Sequence, residues 1–169
     1  MQVVDELHPT FRPPLMDVIK IVNISLLKGM RPQQEQMEAF EDGASTVPYP
    51  NSGHNVLYEG QPVWAFDAMP YYADKPGGID WRTQKELLKA MQAGRFSNAS
   101  EILENIKRIR HTAGVIIGVF HAHGIPLVNG ADWDADNKFN DHTFVDSPHY
   151  QHRDWKKLRH ENWRVHIHG

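Results

Sequence analysis

Four side chains spread along this 169-residue chain are of the types that perform metal-assisted hydrolysis: His54, Asp67, Asp146 and His149. A hydrolytic zinc site takes about three protein ligands and keeps one position open for water. Zinc brings the pKa of that water to near neutrality and polarises the carbonyl under attack. A carboxylate beside it takes the water proton and returns it to the leaving amine. The chain has no cysteine, so any metal must be held by His and carboxylates, a donor set suited to zinc. His54, Asp67 and His149 form a candidate ligand set. Asp146 stands three residues before His149, where a general base is wanted. Eleven histidines allow many combinations, and spacing alone leaves this set one among them.

The elements that must position these groups are readable in outline. Val63 to Met69 reads as a strand ended by Pro70, and it carries Asp67. Ala44 to Gly53, rich in Pro, Ser, Asn and Gly, reads as a loop that delivers His54. Thr143 to Gln151 looks extended, so Asp67 and His149 converge if the two strands are neighbours. Asp146 and His149 are an odd step apart and would face opposite sides of a regular strand, so Pro148 must mark a turn or bulge.

Helices are expected over Arg12 to Val22, with Pro13 and Pro14 in the first turn, and from Pro32 to a stop at Gly43. Further helices are expected over Arg82 to Ala93 and Ala99 to His123. Asn98 with Glu101 resembles a capping box for the last, and apolar residues from Ile102 to Phe120 give it a buried stripe. Ile24 to Leu27 and Ile125 to Val128 read as short strands, and Asn129 to Asn140 as a polar loop. The mixture lacks a βαβ rhythm, which favours α+β.

The chain is 40% hydrophobic and 23% charged with net charge -3, a balance that fits one domain and argues against a nucleic-acid partner. The longest apolar stretch, Val115 to Phe120, is too short for stable membrane insertion. The opening MQVVDELHPTFRPP lacks a basic start and apolar run, so no signal peptide is expected and the protein is expected to be made in a cytoplasm.

Several segments occur together in a specific order. Leu7-His8-Pro9 is followed by Gly29-Met30-Arg31 with Gln34 and Gly43, then by Ser52-Gly53-His54 and Ala65-Phe66-Asp67 with Pro70. Ile79-Asp80-Trp81, Gly130-Ala131-Asp132-Trp133 and Asp146-Ser147-Pro148-His149 complete the series. From Leu7 to about Gln151 the chain resembles the L-alanyl-D-glutamate and D-Ala-D-Ala zinc peptidases of the lysostaphin/D-Ala-D-Ala peptidase/hedgehog group, single-domain phage endolysins above all. That resemblance implies an α+β fold in which a small antiparallel sheet carries a zinc site and helices flank it. It implies His54, Asp67 and His149 as Zn2+ ligands, Asp146 as the base and Arg31 as the cation facing the substrate carbonyl. Ser52 and Trp133 are expected to touch substrate. The implied activity is hydrolysis of the L-Ala–D-Glu bond of the peptidoglycan stem peptide by a monomer, reaching the wall from the host cytoplasm once the membrane is opened. The alternatives are a D-Ala-D-Ala carboxypeptidase or dipeptidase, and, in another class, a non-catalytic wall-binding or virion module with structural zinc. One departure is the 13-residue step from His54 to Asp67, longer than the family's. Residues Asn55 to Pro62 are expected to form a longer loop or hairpin at the rim of the site.

Other motifs carry less. Arg31 could instead pair with Glu35. Asp132, Asp134 and Asp136 alternate like the start of a calcium loop, but Asn137 and Thr143 stand where Gly and Glu are required, so a polar loop is expected. Gly114 and Gly118 are expected to allow close helix packing. Residues 1–152 are expected to form the peptidase domain. The basic tail 153–169 is expected to pack back through Trp155, Leu158 and Trp163, with contact to anionic envelope material as the alternative.

Overall fold

The computed structural model describes residues 3–138 and 141–166, with side chains as far as residue 160. A four-stranded antiparallel sheet is built from β1 (Ile24–Lys28), β2 (Ala65–Pro70), β3 (Leu127–Gly130) and β4 (Asp146–His152), in the order β1-β2-β4-β3. Helices α1 (Val3–Glu6), α2 (Arg12–Ile21) and α3 (Gln33–Glu41) come from the N-terminal third, followed by α4 (Gln84–Gln92), α5 (Phe96–Ala122) and α6 (Trp155–His166). The expected α+β architecture is therefore the observed one.

Successive side chains of a strand point to opposite faces, and this divides the labour of β2 and β4. Phe66 and Tyr150 are buried in the main core and stack with ring centroids 5.2 Å apart. Phe120 of α5 stacks on Phe66 at 5.6 Å, and Phe11 meets both rings edge-on. Their chain neighbours Asp67 and His149 face the other way. The core thus clamps the two central strands from one side and leaves the opposite side for chemistry. Leu7, Leu15 and Val18 of the N-terminal segment complete the core against Val63 and Ile116.

Several boundaries differ from the sequence reading for identifiable reasons. Helix α5 starts at Phe96 with no side-chain cap, so Asn98 and Glu101 do not form a capping box. Both are taken by Arg82, whose Nη1 donates to Asn98 Oδ1 at 2.9 Å and to Glu101 Oε2 at 3.3 Å. The capping box lies at Thr83 and Glu86 instead and opens α4. Val63 stands outside β2, in a lone parallel bridge to Leu7. A Cβ at Gly114 or Gly118 would meet nothing within 4 Å, so this pair does not bring another described helix close. At the other end, Trp155 of α6 is 4% exposed and Leu158 packs against the main core, while the side chain of Trp163 lies outside the described residues.

Candidate metal centre

Asp67 and His149 are register partners across the β2–β4 ladder, so their side chains rise side by side on the face away from the core. His54 reaches them from the loop before β2. Its loop is anchored to the sheet by the Trp64 amide, which donates to the Gly53 carbonyl, and to the β1–α3 segment by the Arg31 amide, which donates to the His54 carbonyl. Gly53 permits this approach, since a Cβ there would stand 2.9 Å from that of Ala65.

Three atoms converge. Nε2 of His54 lies 3.0 Å from Oδ1 of Asp67 and 2.9 Å from Nδ1 of His149, and the latter two are 3.2 Å apart. Tetrahedral zinc with bonds of about 2.0–2.1 Å spaces its ligand atoms about 3.3–3.4 Å apart, close to this triangle. The outer contacts set the tautomers. Nδ1 of His54 donates to the carbonyl of Gly29 at 2.6 Å, and Nε2 of His149 donates to Oε1 of Gln151 at 3.1 Å. Both protons are thus on the far nitrogens, and lone pairs of two imidazoles and a carboxylate face one another. That arrangement is unfavourable by itself and is what a cation requires. The three residues fit a zinc ion.

The charges agree. Burial pushes the fully enclosed His54 below the usual imidazole range, even beside Asp67, which keeps it a neutral donor. Burial opposes ionisation of Asp67, and positive charge on the His54–His149 side outweighs it and holds the carboxyl well below the usual range; with both imidazoles neutral, a cation held by the three residues would supply that charge. Asp146 goes the other way: burial raises it, and the nearby Asp67 charge adds to the effect.

Asp146 lines the same cleft, about 340 Å3 in volume, together with Arg31, Ser52, His54, Trp133 and His149. The expected irregularity before His149 is present. Asn129 of β3 pairs with Tyr150 and the next residue, Gly130, with Asp146, so residues 147–149 bulge between them. Asn129 staples the bulge, its Nδ2 donating to the carbonyls of Ser147 and His149 at 2.9 Å each. A side chain at Gly130 would run into the Asp146 carbonyl. These two residues bring Asp146 and His149 to one side.

Arg31 does not pair with Glu35, which takes Lys28 at 2.7 Å. Its guanidinium lies 3.6 Å from Oδ2 of Asp67 and donates to Oε1 of Gln36. Trp133 packs against His149, ring centroids 5.3 Å apart, while its Nε1 donates to the Phe144 carbonyl. Ser52 uses its hydroxyl in the turn, accepting from the His54 amide at 3.3 Å.

The longer His54–Asp67 segment is not at the rim. Tyr58 to Pro62 lie beside Asp5, His8 and Arg12 in a separate depression, and Gln61 donates to the Arg159 carbonyl of α6. The rim comes instead from residues 44–47, 142–144 and Lys156. In the acidic loop, the Asp132 carboxylate accepts from the amides of Asp136 and Asn137, closing the loop on itself. Gln151, Asn129 and Gln36 were not marked as site residues by sequence reasoning, and Gly29 was marked only as part of the Gly29-Met30-Arg31 segment. A lone amide or a backbone carbonyl carries no periodic or spacing signal.

No protein-family model matches the chain, and no curated protein matches it. Among solved structures it is similar to the L-Ala D-Glu endopeptidase ChiX of Serratia marcescens, with TM-score 0.54 and 17% identity over 90% of this chain and 84% of that one. The chain has the fold of that peptidase.

Proposed function

We propose that the chain is a zinc-dependent peptidoglycan peptidase that hydrolyses the L-Ala–D-Glu bond of the stem peptide, in the manner of a phage endolysin. The observation that carries this reading is the facing of three lone-pair donors within 3.2 Å of one another beside a carboxylate that is not one of them. The fold shared with an L-Ala D-Glu endopeptidase supports the choice of bond.

His54, Asp67 and His149 would hold the ion. When bound, zinc polarises the scissile carbonyl and acidifies the attacking water. Asp146, kept basic by burial, takes the proton of that water and delivers it to the departing amine. Arg31, held by Gln36 and Asp67, presents its guanidinium to the oxygen on which charge develops. A purely structural zinc site needs neither Asp146 nor Arg31, which disfavours a non-catalytic module. No described helix is long and apolar enough to cross a membrane. On this reading it is made in the host cytoplasm and reaches the wall after the membrane is opened.

The test is digestion of purified muropeptides read by mass spectrometry, with chelator and zinc add-back. Products split between Ala and Glu, lost with chelator and restored by zinc, are expected. Release of free D-Ala with that bond intact makes the chain a D,D-carboxypeptidase instead.

A further inference from the structure

The catalytic cleft is not the only depression that reaches Asp146. A second groove of about 300 Å3 is lined by Met69, Trp81, Ile106, Val145 and Pro148, and Asp146 borders it too. Trp81 is 60% exposed, yet the backbone on both sides of it is fixed. Asp80 is buried, and its Oδ1 takes the Arg82 Nε at 2.9 Å. Nδ2 of the buried Asn105 on α5 donates to the carbonyls of Asp80 at 3.1 Å and Arg82 at 2.9 Å. The Tyr72 hydroxyl donates to Oδ1 of the same Asn105 at 2.6 Å, which sets the orientation of the amide. Residue 81 is thus the free middle of a clamped tripeptide, and its indole is presented on a rigid support.

An exposed indole on a held backbone, in a groove lined by apolar Met69, Ile106 and Val145 together with polar Gln84 and Ser147, suits an N-acylated pyranose. The C–H face of the sugar lies on the ring, the acetyl methyl meets the apolar lining and hydroxyls reach the polar residues. The proposed substrate supplies such a group at the right place. In peptidoglycan the L-Ala amine is acylated by the lactyl ether of N-acetylmuramic acid, so the sugar begins one residue before the scissile bond. At about 3.5 Å per extended residue, it lies within reach of a groove that shares Asp146 with the cleft.

Resting on the peptidase reading above, we infer that Trp81 and its groove form a glycan subsite for the N-acetylmuramoyl unit, which makes the enzyme prefer peptides still attached to their sugar. The experiment compares a GlcNAc–MurNAc-tetrapeptide with the matching free tetrapeptide. Wild type is expected to show kcat/KM about tenfold higher for the glycosylated substrate, mainly through KM. Trp81→Ala brings that ratio near one, and Trp81→Tyr, which keeps a ring face, restores most of it. A ratio of one in wild type, or an unchanged ratio in Trp81→Ala, overturns the subsite. A second measurement separates the two claims. The peptide-free disaccharide is titrated against zinc-loaded protein and followed by NMR on the indole N–H signal that Trp81→Ala removes. A saturable shift with neither substrate cut sinks the peptidase reading and keeps the glycan subsite. Cleavage without any shift does the reverse.

Discussion

Nδ1 of His54 lies 2.6 Å from the carbonyl oxygen of Gly29, the residue that follows β1. This bond puts the imidazole lone pair on Nε2, toward Asp67 and His149. The peptide that carries the carbonyl is itself held, because Glu6 Oε2 accepts from the Met30 amide at 2.7 Å. A Cβ at Gly29 would come within 2.6 Å of that carboxylate oxygen. Gly29→Ala therefore tilts the peptide that orients a candidate ligand. Zinc affinity, measured by competition with a chromogenic chelator, is expected to fall about ten- to hundredfold, the usual cost of losing an outer partner. Gly114→Ala is the control: its Cβ meets nothing, and the helix should gain about 1 kcal/mol of stability with zinc affinity unchanged.

Asp146→Asn keeps the shape of the side chain and removes the proposed base. It is expected to bind one zinc per chain, by atomic emission on dialysed protein, and to lose about 10²- to 10⁴-fold in kcat/KM. Full wall lysis by this variant removes Asp146 from the mechanism. The pH dependence follows from the sign of the shift. Burial raises the Asp146 carboxyl, so in the folded protein it stays protonated to a higher pH than a free carboxylate does. Stability from this group is present below its unfolded pKa and is lost as pH rises through its raised folded value. Activity runs the opposite way, appearing as pH rises through that value. The acid limb of kcat/KM is therefore expected to follow this carboxyl, set by burial against the charge of the bound ion, and to vanish in Asp146→Asn.

Arg31 is expected to act in the transition state rather than in holding metal. Arg31→Lys keeps the charge but not the fork that spans Gln36 and Asp67. A loss of about 10²-fold or more in kcat with little change in zinc content is expected. Equal loss of zinc would show that Arg31 serves the site only by neutralising Asp67.

How much of this was legible differs by residue. The strand carrying Asp67 showed in the sequence, because an apolar run bounded by Pro62 and Pro70 is a local signal, and the segment carrying His149 showed only as extended. Their direct pairing was a conditional inference, and the bulge before His149 followed from parity. The stapling of that bulge by Asn129 did not show, since one Asn in a loop-like segment looks like turn chemistry. The Asn98 capping box was misread for a related reason. Local spacing permits the cap, but Arg82, 16 residues earlier, competes for the same oxygen. The long segment after His54 was expected at the rim because it adjoins a ligand. The Gln61 amide ties it elsewhere, to α6, and that partner lies 98 residues away.

Asn129→Leu tests the bulge. The substitution leaves two carbonyls, the partly buried one of Ser147 and the buried one of His149, without this donor. A loss of about 1–3 kcal/mol is expected, or roughly 2–4 °C of melting temperature per kcal/mol for a chain of this length. Activity should fall further than stability does, because Asp146 and His149 share the stapled stretch.

Helix α6 supplies the last test. Trp155 is buried in the main core, and the Arg159 guanidinium stacks over its ring with Cζ 4.8 Å from the centroid. The same arginine donates to the Pro50 carbonyl in the loop that delivers His54. If α6 is a strap on the peptidase domain, Trp155→Ala costs about 3–5 kcal/mol and lowers the melting temperature by roughly 10 °C. Hydrolysis of soluble muropeptides well below that temperature should remain measurable, because Trp155 borders the cleft without supplying a donor to the metal triangle. Intact melting with loss of lysis on whole walls would instead assign α6 to the envelope. The two results are separated by running calorimetry and wall turbidity on one preparation.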